Sequence, residues 1–429
     1  MKRLIIAAVI AGISVPAMAQ FTLDSCQAMA ARNYPLINQY ELIDRLADFS
    51  IQNAAKAYLP QITLSGSASY ISEVVSFPEN MEQMFGAMGI DMAGLRNDQY
   101  KFTLDITQNI WDGGVSKAAK EQAEAERDVS ARTADVEMYS LRDRVCQIYF
   151  GILMLEDNLK QNDLVTSMLA KNYEVAKSCL DNGIAMEGEI SRIQAELVSN
   201  SQSRANLEWA RRAYLQVLSV MTGTEIDGSS SFERPEMPAT TLTAYDIMRP
   251  ELALFDAQEK AVKAQRRYVN SSVMPKFSLF AQGLYGYPGL NMFEDMMEYK
   301  WSPNYIVGVR FQWNISSFYT KRNNLRKLET SAAQVAVQRD KFLYGNRIES
   351  VRKDSEIRKM MEVMEKDDEL IALRRKVREA SEAKFRNGTI TASDLLKDIN
   401  DEARAILDKS LHELEYMKNI YEQKIITNN

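Results

Sequence analysis

The chain has 429 residues, of which 46% are hydrophobic and 26% charged, and its formal net charge is −6. This composition excludes a disordered or collagen-like chain, and three cysteines are too few for a disulfide framework. The single histidine, His412, excludes a histidine-rich metal site and leaves one candidate imidazole for any catalytic pair or triad. We therefore expect no catalytic residues, no metal site and no cofactor.

Residues 1–19 have the pattern of an export signal. Lys2 and Arg3 precede an apolar stretch at 4–15, and Ala17-Met18-Ala19 supplies a small-residue cleavage site. We expect cleavage after Ala19, and the alternative is an uncleaved N-terminal anchor. Without the two basic residues the charge is 50 − 58 = −8, which argues against nucleic acid as a partner.

The placement of proline predicts long helices. All ten prolines lie at or before Pro303, and 156 proline-free residues separate Pro78 from Pro235. Residues 115–182 contain one glycine, Gly151, and residues 317–387 contain one, Gly345. Residues that favour helices dominate both stretches. The predicted long helices are 115–181, 184–222, 317–386 and 390–424.

Apolar residues within the first of these helices recur at alternating steps of four and three. The series is Leu141, Val145, Ile148, Ile152, Leu155 and Leu159. This spacing is typical of a coiled-coil seam. The alternative is an amphipathic helix packed on a globular core, which would bury a wider stripe.

The sequence also repeats itself. Pro35 and Pro60 are echoed by Pro250 and Pro275, each 215 residues later, and the dipeptide at 182–183 is echoed at 387–388, 205 residues later. Three echoes in the same order indicate a duplication. We assign a first repeat to 20–222, a linker rich in Gly, Ser and Pro to 223–243, and a second repeat to 244–425.

Each repeat contains two segments in which apolar and polar residues alternate. They predict strands at about 61–72 and 100–110 in the first repeat, and at about 276–287 and 304–314 in the second. Such alternation over about ten residues is typical of transmembrane β-barrel strands, although a half-buried strand of a soluble sheet shows it too. After residue 19 no window has the 18 consecutive apolar residues of a transmembrane helix. Four strands cannot enclose a channel, so a barrel requires several chains.

Several motifs, taken in order, resemble one family. They are Gln-Asn-Ile-Trp-Asp-Gly-Gly at 108–114, Arg-Pro-Glu-Leu at 249–252, Phe-Arg-Asn-Gly at 385–388 and Asp-Leu-Leu at 394–396. With the duplication, they make the chain similar to the TolC-like outer-membrane efflux proteins of Gram-negative bacteria. The resemblance implies a mainly α fold with a small transmembrane β part. It also implies a homotrimer with a shared 12-stranded β-barrel, four strands per chain, and a helical tunnel in the periplasm.

The resemblance also implies where the tunnel entrance lies. Asn182-Gly183 and Asn387-Gly388 match the turns at the periplasmic tip. Asp394 matches the first of two acidic gate positions of the family, whereas Lys397 departs from the second. The alternative is that Asp394 only opposes the helix dipole. In the first repeat, Glu187 and Glu189 occupy the matching region, where they latch neighbouring helices or are simply solvated.

These expectations lead to a function. The resemblance implies an exit duct in the cell outer membrane, serving a tripartite efflux pump or a type I secretion system. No nucleotide-binding loop occurs in the sequence, so the energy must come from partners. These would be an inner-membrane RND or ABC transporter and a periplasmic adaptor (membrane fusion) protein, with outer-membrane lipid around the barrel. The alternative is a periplasmic coiled-coil scaffold or adaptor; an exported hydrolase would need a polar site that the sequence does not supply.

Overall fold

A computed structural model describes residues 21–90, 94–182, 186–236 and 247–428. The expected signal peptide at 1–19 lies outside the described residues, as do Gly183 and the last part of the linker. The chain forms two compact units. The helical unit comprises the described parts of Met1–Gln39, Thr133–Leu252 and Arg339–Asn429, and the sheet unit comprises those of Tyr40–Arg132 and Ala253–Gln338.

Helices and strands follow the same order in the two repeats. In the first repeat they are α1 (Leu23–Asn33), α2 (Ile37–Lys56), β1 (Gln61–Tyr70), α3 (Glu79–Ala87), β2 (Asp98–Trp111), α4 (Val115–Asp181) and α5 (Glu187–Thr222). In the second they are α6 (Pro250–Ser272), β3 (Lys276–Tyr287), α7 (Met292–Met297), β4 (Ser302–Gln312), α8 (Ser317–Arg386) and α9 (Ala392–Thr427). The predicted fold class, mainly α with four strands per chain, is confirmed. None of the described helices is long and apolar enough to cross a membrane.

Some element ends differ by two or three residues from the predicted limits. Helix α5 begins after Met186 rather than at 184, and α9 runs from the N-cap Thr391 to the C-cap Asn428. Asn428 has a φ of 58°, in the left-handed region where Asn is one of the few tolerated residues. Strand β1 ends at Tyr70 rather than at about 72.

The four strands form one antiparallel sheet in the order β1-β2-β3-β4. Cross-strand pairs keep like residues on one face: Leu64 opposes Leu104, and Leu279 opposes Val309. The other face is more polar, and there the Gln282 amide donates to Asp105 at 2.7 Å. Strands β1 and β4 stand at the ends of the sheet, so that each pairs on one side only within the chain.

Asp112 makes the turn from β2 into α4. Its carboxylate accepts hydrogen bonds from the backbone N–H groups of Gly114 (2.9 Å) and Ser116 (2.7 Å), and from the Tyr58 hydroxyl (2.8 Å). Burial raises the pKa of Asp112, but these hydrogen bonds outweigh it and hold the pKa below its ordinary value. Gly113 takes a φ of 71°, where a Cβ would clash with Met274. The Asp-Gly-Gly motif is therefore a helix cap joined to a tight turn.

The core of the helical unit surrounds Tyr149 on α4. Its hydroxyl lies 2.8 Å from the carbonyl oxygen of Phe21 and 2.5 Å from that of Glu233, in the linker. Phe232 stacks on Phe21 with ring centroids 5.7 Å apart. The first part of the linker is therefore packed against the core.

Helix α4 buries more than a narrow seam in this core. Besides the predicted positions Leu141, Val145 and Ile152, the side chains of Cys146 and Tyr149 are fully buried. A stripe of this width is that of an amphipathic helix packed on a core, the alternative left open by the sequence. Burial raises the pKa of the Cys146 thiol to about 12, so this thiol stays protonated.

We predict that Asp112→Ala destabilises the sheet unit, because three donors lose their acceptor at once. The expected loss in the free energy of unfolding is about 2 kcal/mol. Denaturant unfolding in detergent measures this loss. Tyr58→Phe is the control, because it removes only one of the three hydrogen-bond donors to Asp112. Equal effects of the two substitutions would contradict the assigned cap.

Candidate functional site at the helix tips

Asn387 and Gly388 end α8 in a glycine-dependent motif. Gly388 has a φ of 66°, its N–H donates to the Phe385 carbonyl at 2.9 Å, and the Thr389 N–H donates to the Lys384 carbonyl at 3.0 Å. This pair of bonds is the Schellman motif, which satisfies the last carbonyl groups of a helix. Only residues 387–391 separate the end of α8 from the start of α9.

Asp394 closes the start of α9. The Thr391 hydroxyl accepts from the Asp394 N–H at 3.3 Å, and the Asp394 carboxylate accepts from the Thr391 N–H at 3.2 Å and from its hydroxyl at 2.7 Å. The two residues therefore form a capping box. The hydrogen bond from the Thr391 hydroxyl is the main reason that the pKa of Asp394 lies below its ordinary value, and the nearby Lys397 lowers it further.

Two charged side chains of α9 at this tip are in contact with water. Asp394 and Lys397 are exposed, three residues apart on α9. The carboxylate of Asp394 therefore keeps its negative charge while it caps the helix, and it remains exposed to solvent. The helix-end role that the sequence left as an alternative is present in the structure, and it is compatible with a second role in a channel entrance.

The other tip joins α4 to α5. Asn182 donates its side-chain amide to the Ser178 carbonyl at 2.7 Å, and Gly183 lies outside the described residues. Glu187 and Glu189 occupy the first turn of α5, where the helix dipole favours negative charge. Glu187 is exposed and Glu189 is half-buried.

A shared apolar cluster holds the two tips together. Ala176 of α4, Ile193 of α5, Phe385 of α8, and Leu395 and Ile399 of α9 are buried in it. Polar contacts between the two hairpins are sparser among the described residues: the Asn400 amide donates to Glu196 at 3.3 Å, and that of Gln161 donates to the Ala403 carbonyl at 2.9 Å. Apolar packing, rather than charge, is the main link between the hairpins here.

A network of ion pairs that was not predicted from the sequence lies one helical turn further from the tip. The Glu402 side chain on α9 is 5% exposed and forms ion pairs with Arg378 and with Arg375, the latter at 3.1 Å. Arg378 also pairs with Glu382 at 2.7 Å. Burial lowers the pKa of Arg378, yet the hydrogen bonds with these two glutamates outweigh it and raise the pKa. The spacing of Leu395, Ile399 and Glu402 was the sequence signal for this network, because it places a carboxylate on the apolar face of α9.

These ion pairs lie beside a cavity of about 500 Å³ between α4, α8 and α9. Basic and acidic side chains share its lining with Leu164, Met168 and Val175. No group of three or more His, Cys, Asp or Glu side chains in the described part of the chain is placed to hold a metal ion. The arrangement supplies charge, caps and packing, which suit a pore entrance or a hinge.

Comparisons with known proteins identify the fold. Residues 28–224 match the family model described as outer membrane efflux protein. The solved outer-membrane channel OprN is 14% identical, with a TM-score of 0.69 over 94% of this chain and 89% of its own. VceC from Vibrio cholerae is 16% identical, with a TM-score of 0.63 over 94% and 95%. The MtrE channel of Neisseria gonorrhoeae, in its open state, is 12% identical, with a TM-score of 0.66 over 95% and 89%.

The resemblance to TolC-like outer membrane efflux proteins is confirmed. The family match covers most of the first repeat, and the solved structures show that the same fold continues through the second. The family match also confirms the expected function class, an outer-membrane efflux channel in the cell outer membrane. It does not favour the periplasmic scaffold. No curated protein matches the sequence.

We predict that Arg378→Met destabilises the α8–α9 hairpin by about 3 kcal/mol, because it leaves the buried Glu402 carboxylate with a single, half-exposed partner. The double variant Arg378→Met with Glu402→Leu is expected to recover most of that loss. Hydrogen exchange of the hairpin amides measures both effects. Arg374→Met, which removes an ion pair of 2.8 Å to Asp401 at a more exposed position, is the matched control, and an equal effect there would contradict the assignment.

Proposed function

We propose that this protein is the exit duct of a tripartite efflux pump or of a type I secretion system. It would act as a passive homotrimeric conduit in which three chains share a 12-stranded barrel. The single observation that carries the proposal is the four-stranded sheet. One of its faces is apolar and the other is more polar, and its outer strands, β1 and β4, each have one edge that is unpaired within the chain. Unpaired backbone groups cannot face lipid, so such a sheet needs further copies to close it.

The side chains of the sheet support a membrane position. Exposed apolar residues follow one face through all four strands; they include Ile62, Leu64, Phe102, Leu104, Leu279, Tyr285, Val307, Val309 and Phe311. Aromatic rings gather at both ends, with Trp301 stacked on Tyr100 at one end and Trp111 near Phe277 at the other. Aromatic girdles on either side of an apolar band are typical of outer-membrane barrels.

The partners follow from the absence of an energy source in the sequence. We propose a periplasmic adaptor (membrane fusion) protein and an inner-membrane RND or ABC transporter as the other components, with outer-membrane lipid around the barrel. No step of covalent chemistry is required of this chain. Nothing in a wide duct selects the cargo, so the transporter would do so.

We propose that the tip formed by Asn387, Gly388 and Asp394 lies at the channel entrance, together with the Asn182–Gly183 turn and Glu187 and Glu189. Three copies of Asp394 around an axis would concentrate negative charge and favour cations. Lys397, three residues away, would oppose that preference.

We predict that purified trimers in planar bilayers conduct with a preference for cations, which Asp394→Asn lowers and Lys397→Gln raises. A unit charge about 7 Å from an ion in water contributes about 0.6 kcal/mol, so the permeability ratio should change at least about twofold. Reversal potentials in a salt gradient measure it. The preference should persist through mildly acidic pH and fall only at a pH below the ordinary pKa of an aspartate, since the pKa of Asp394 is lowered.

Thr391→Ala is the matched control, because it removes the cap partner and keeps the carboxylate. Unchanged selectivity in Asp394→Asn and in Lys397→Gln would remove the proposed entrance and keep the duct. A protein that stays soluble and forms no channels would overturn the proposed function itself.

A further inference from the structure

The cavity of about 500 Å³ between α4, α8 and α9 takes no part in the proposed duct, and we call it the tip cavity. A row of α4 side chains, spaced by four, three and four residues, lines it from one face of the helix. The row consists of Leu164, Met168, Lys171 and Val175. Three of the four are apolar, so this side of the cavity is apolar apart from one lysine.

A second row of side chains, on α8, also lines the tip cavity. Its members are spaced by three, four and four residues and again share one face of their helix. They are Arg375, Arg378, Glu382 and Arg386. Each row spans 11 residue steps (175 − 164 and 386 − 375), about 16 Å at the rise of an α-helix. The lining is therefore elongated, and it is mainly cationic on the α8 side.

The two carboxylates of the lining are already paired. The Glu402 carboxylate forms ion pairs with both Arg375 and Arg378, and the Glu382 carboxylate lies 2.7 Å from the Arg378 guanidinium. These contacts balance the charge of two arginines in the α8 row. They leave the charges of the other two basic residues of the lining unbalanced.

These two basic residues are Lys171 and Arg386. Both are exposed, and neither side chain forms an ion pair with any residue that the structure describes. The lining thus holds four cationic groups and two carboxylates, a net charge of 4 − 2 = +2. A concave surface with an excess of positive charge raises the local concentration of anions.

The combination of an apolar row and a cationic row selects one class of ligand. A small inorganic anion would contact the basic side chains and leave Leu164, Met168 and Val175 in water. A neutral hydrocarbon would bury those three side chains and leave the surplus charge unbalanced. An amphiphile with an acidic headgroup satisfies both rows, and the volume of the cavity lies in the range of about 300–1,000 Å³ that is usual for small-molecule sites.

We propose that the tip cavity binds a soluble anionic amphiphile with a single alkyl chain, such as a medium-chain carboxylate. Its headgroup lies among the basic side chains that include Lys171 and Arg386, and its chain lies along the apolar row of α4. The ligand contacts α4 of the first hairpin and both helices of the second, and therefore adds to the link between the hairpins. This inference concerns a ligand that stays bound, and it does not depend on conduction.

Equilibrium dialysis of radiolabelled decanoate against the full chain, extracted in a non-ionic detergent, tests the site directly. The detergent concentration is the same on both sides of the membrane, so that uptake into free micelles cancels. We expect saturable binding of one decanoate per chain. Butyrate, which keeps the charge and shortens the chain, and decanol, which keeps the chain and lacks the charge, should each bind at least tenfold more weakly.

A pair of double variants tests the charged part of the site. Lys171→Gln with Arg386→Gln removes the surplus charge from the lining and should weaken decanoate binding at least tenfold. The matched control is Lys177→Gln with Lys376→Gln, which makes the same change of charge at exposed positions of the same two helices, outside the lining. Its affinity should stay within twofold of that of the wild type, and both proteins carry the same detergent belt.

A single variant tests the apolar part. Leu164 is 53% exposed, so the helix tolerates an asparagine there, and circular dichroism checks that the helical content is kept. Leu164→Asn should weaken decanoate binding at least threefold and leave the weak binding of butyrate unchanged. An equal effect on both ligands would contradict the placement of the alkyl chain.

Three results would overturn the proposal. Butyrate that binds as tightly as decanoate would show a site for charge alone, such as a carboxylate side chain of a partner protein. Equal losses in the two double variants would show unspecific attraction of anions. Displacement of decanoate by phosphatidylglycerol in mixed micelles would assign the cavity to a membrane lipid. Each result leaves the duct standing, whereas decanoate binding by a protein that forms no channels would overturn the duct and support the site.

Discussion

The structure depends on one constraint, the unpaired edges of a four-stranded sheet. Each edge presents backbone N–H and C=O groups that need partners, and the adjoining face is apolar, with Leu64 of β1 73% exposed. In the hydrocarbon core of a membrane no water is present to form hydrogen bonds with these backbone groups. A single chain pairs neither edge, and the proposed function therefore requires an assembly of several chains that closes the sheet.

Hydrogen bonds from capping side chains fix the ends of the helices, both where a helix follows the sheet and where two helices are joined by a turn. Asp112 caps α4 directly after β2, and Asp394 caps α9 directly after the Gly388 turn. Both carboxylates have pKa values below the ordinary range because they accept hydrogen bonds: Asp112 from two backbone N–H groups and the Tyr58 hydroxyl, and Asp394 chiefly from the Thr391 hydroxyl. One is buried and purely structural. The other is exposed to solvent.

Much of the fold follows from the sequence, because its signals are local. The scarcity of Pro and Gly marks the long helices, alternation marks the strands, and Asn387-Gly388 marks a left-handed turn. The ion pair between Arg378 and Glu402 could not be predicted from local sequence, because the two residues lie 24 positions apart on different helices. The packing of the linker could not be predicted for the same reason, since Phe232 stacks on Phe21, from which most of the first repeat separates it in sequence.

The number of chains in the extracted assembly tests the central claim most directly. Native mass spectrometry of the detergent-extracted protein measures that number without reference to any transported solute. The account predicts a single species containing three chains, which together supply twelve strands. A monomer or a dimer as the only species capable of forming channels would contradict it, because four or eight of these strands do not close the barrel around a tunnel.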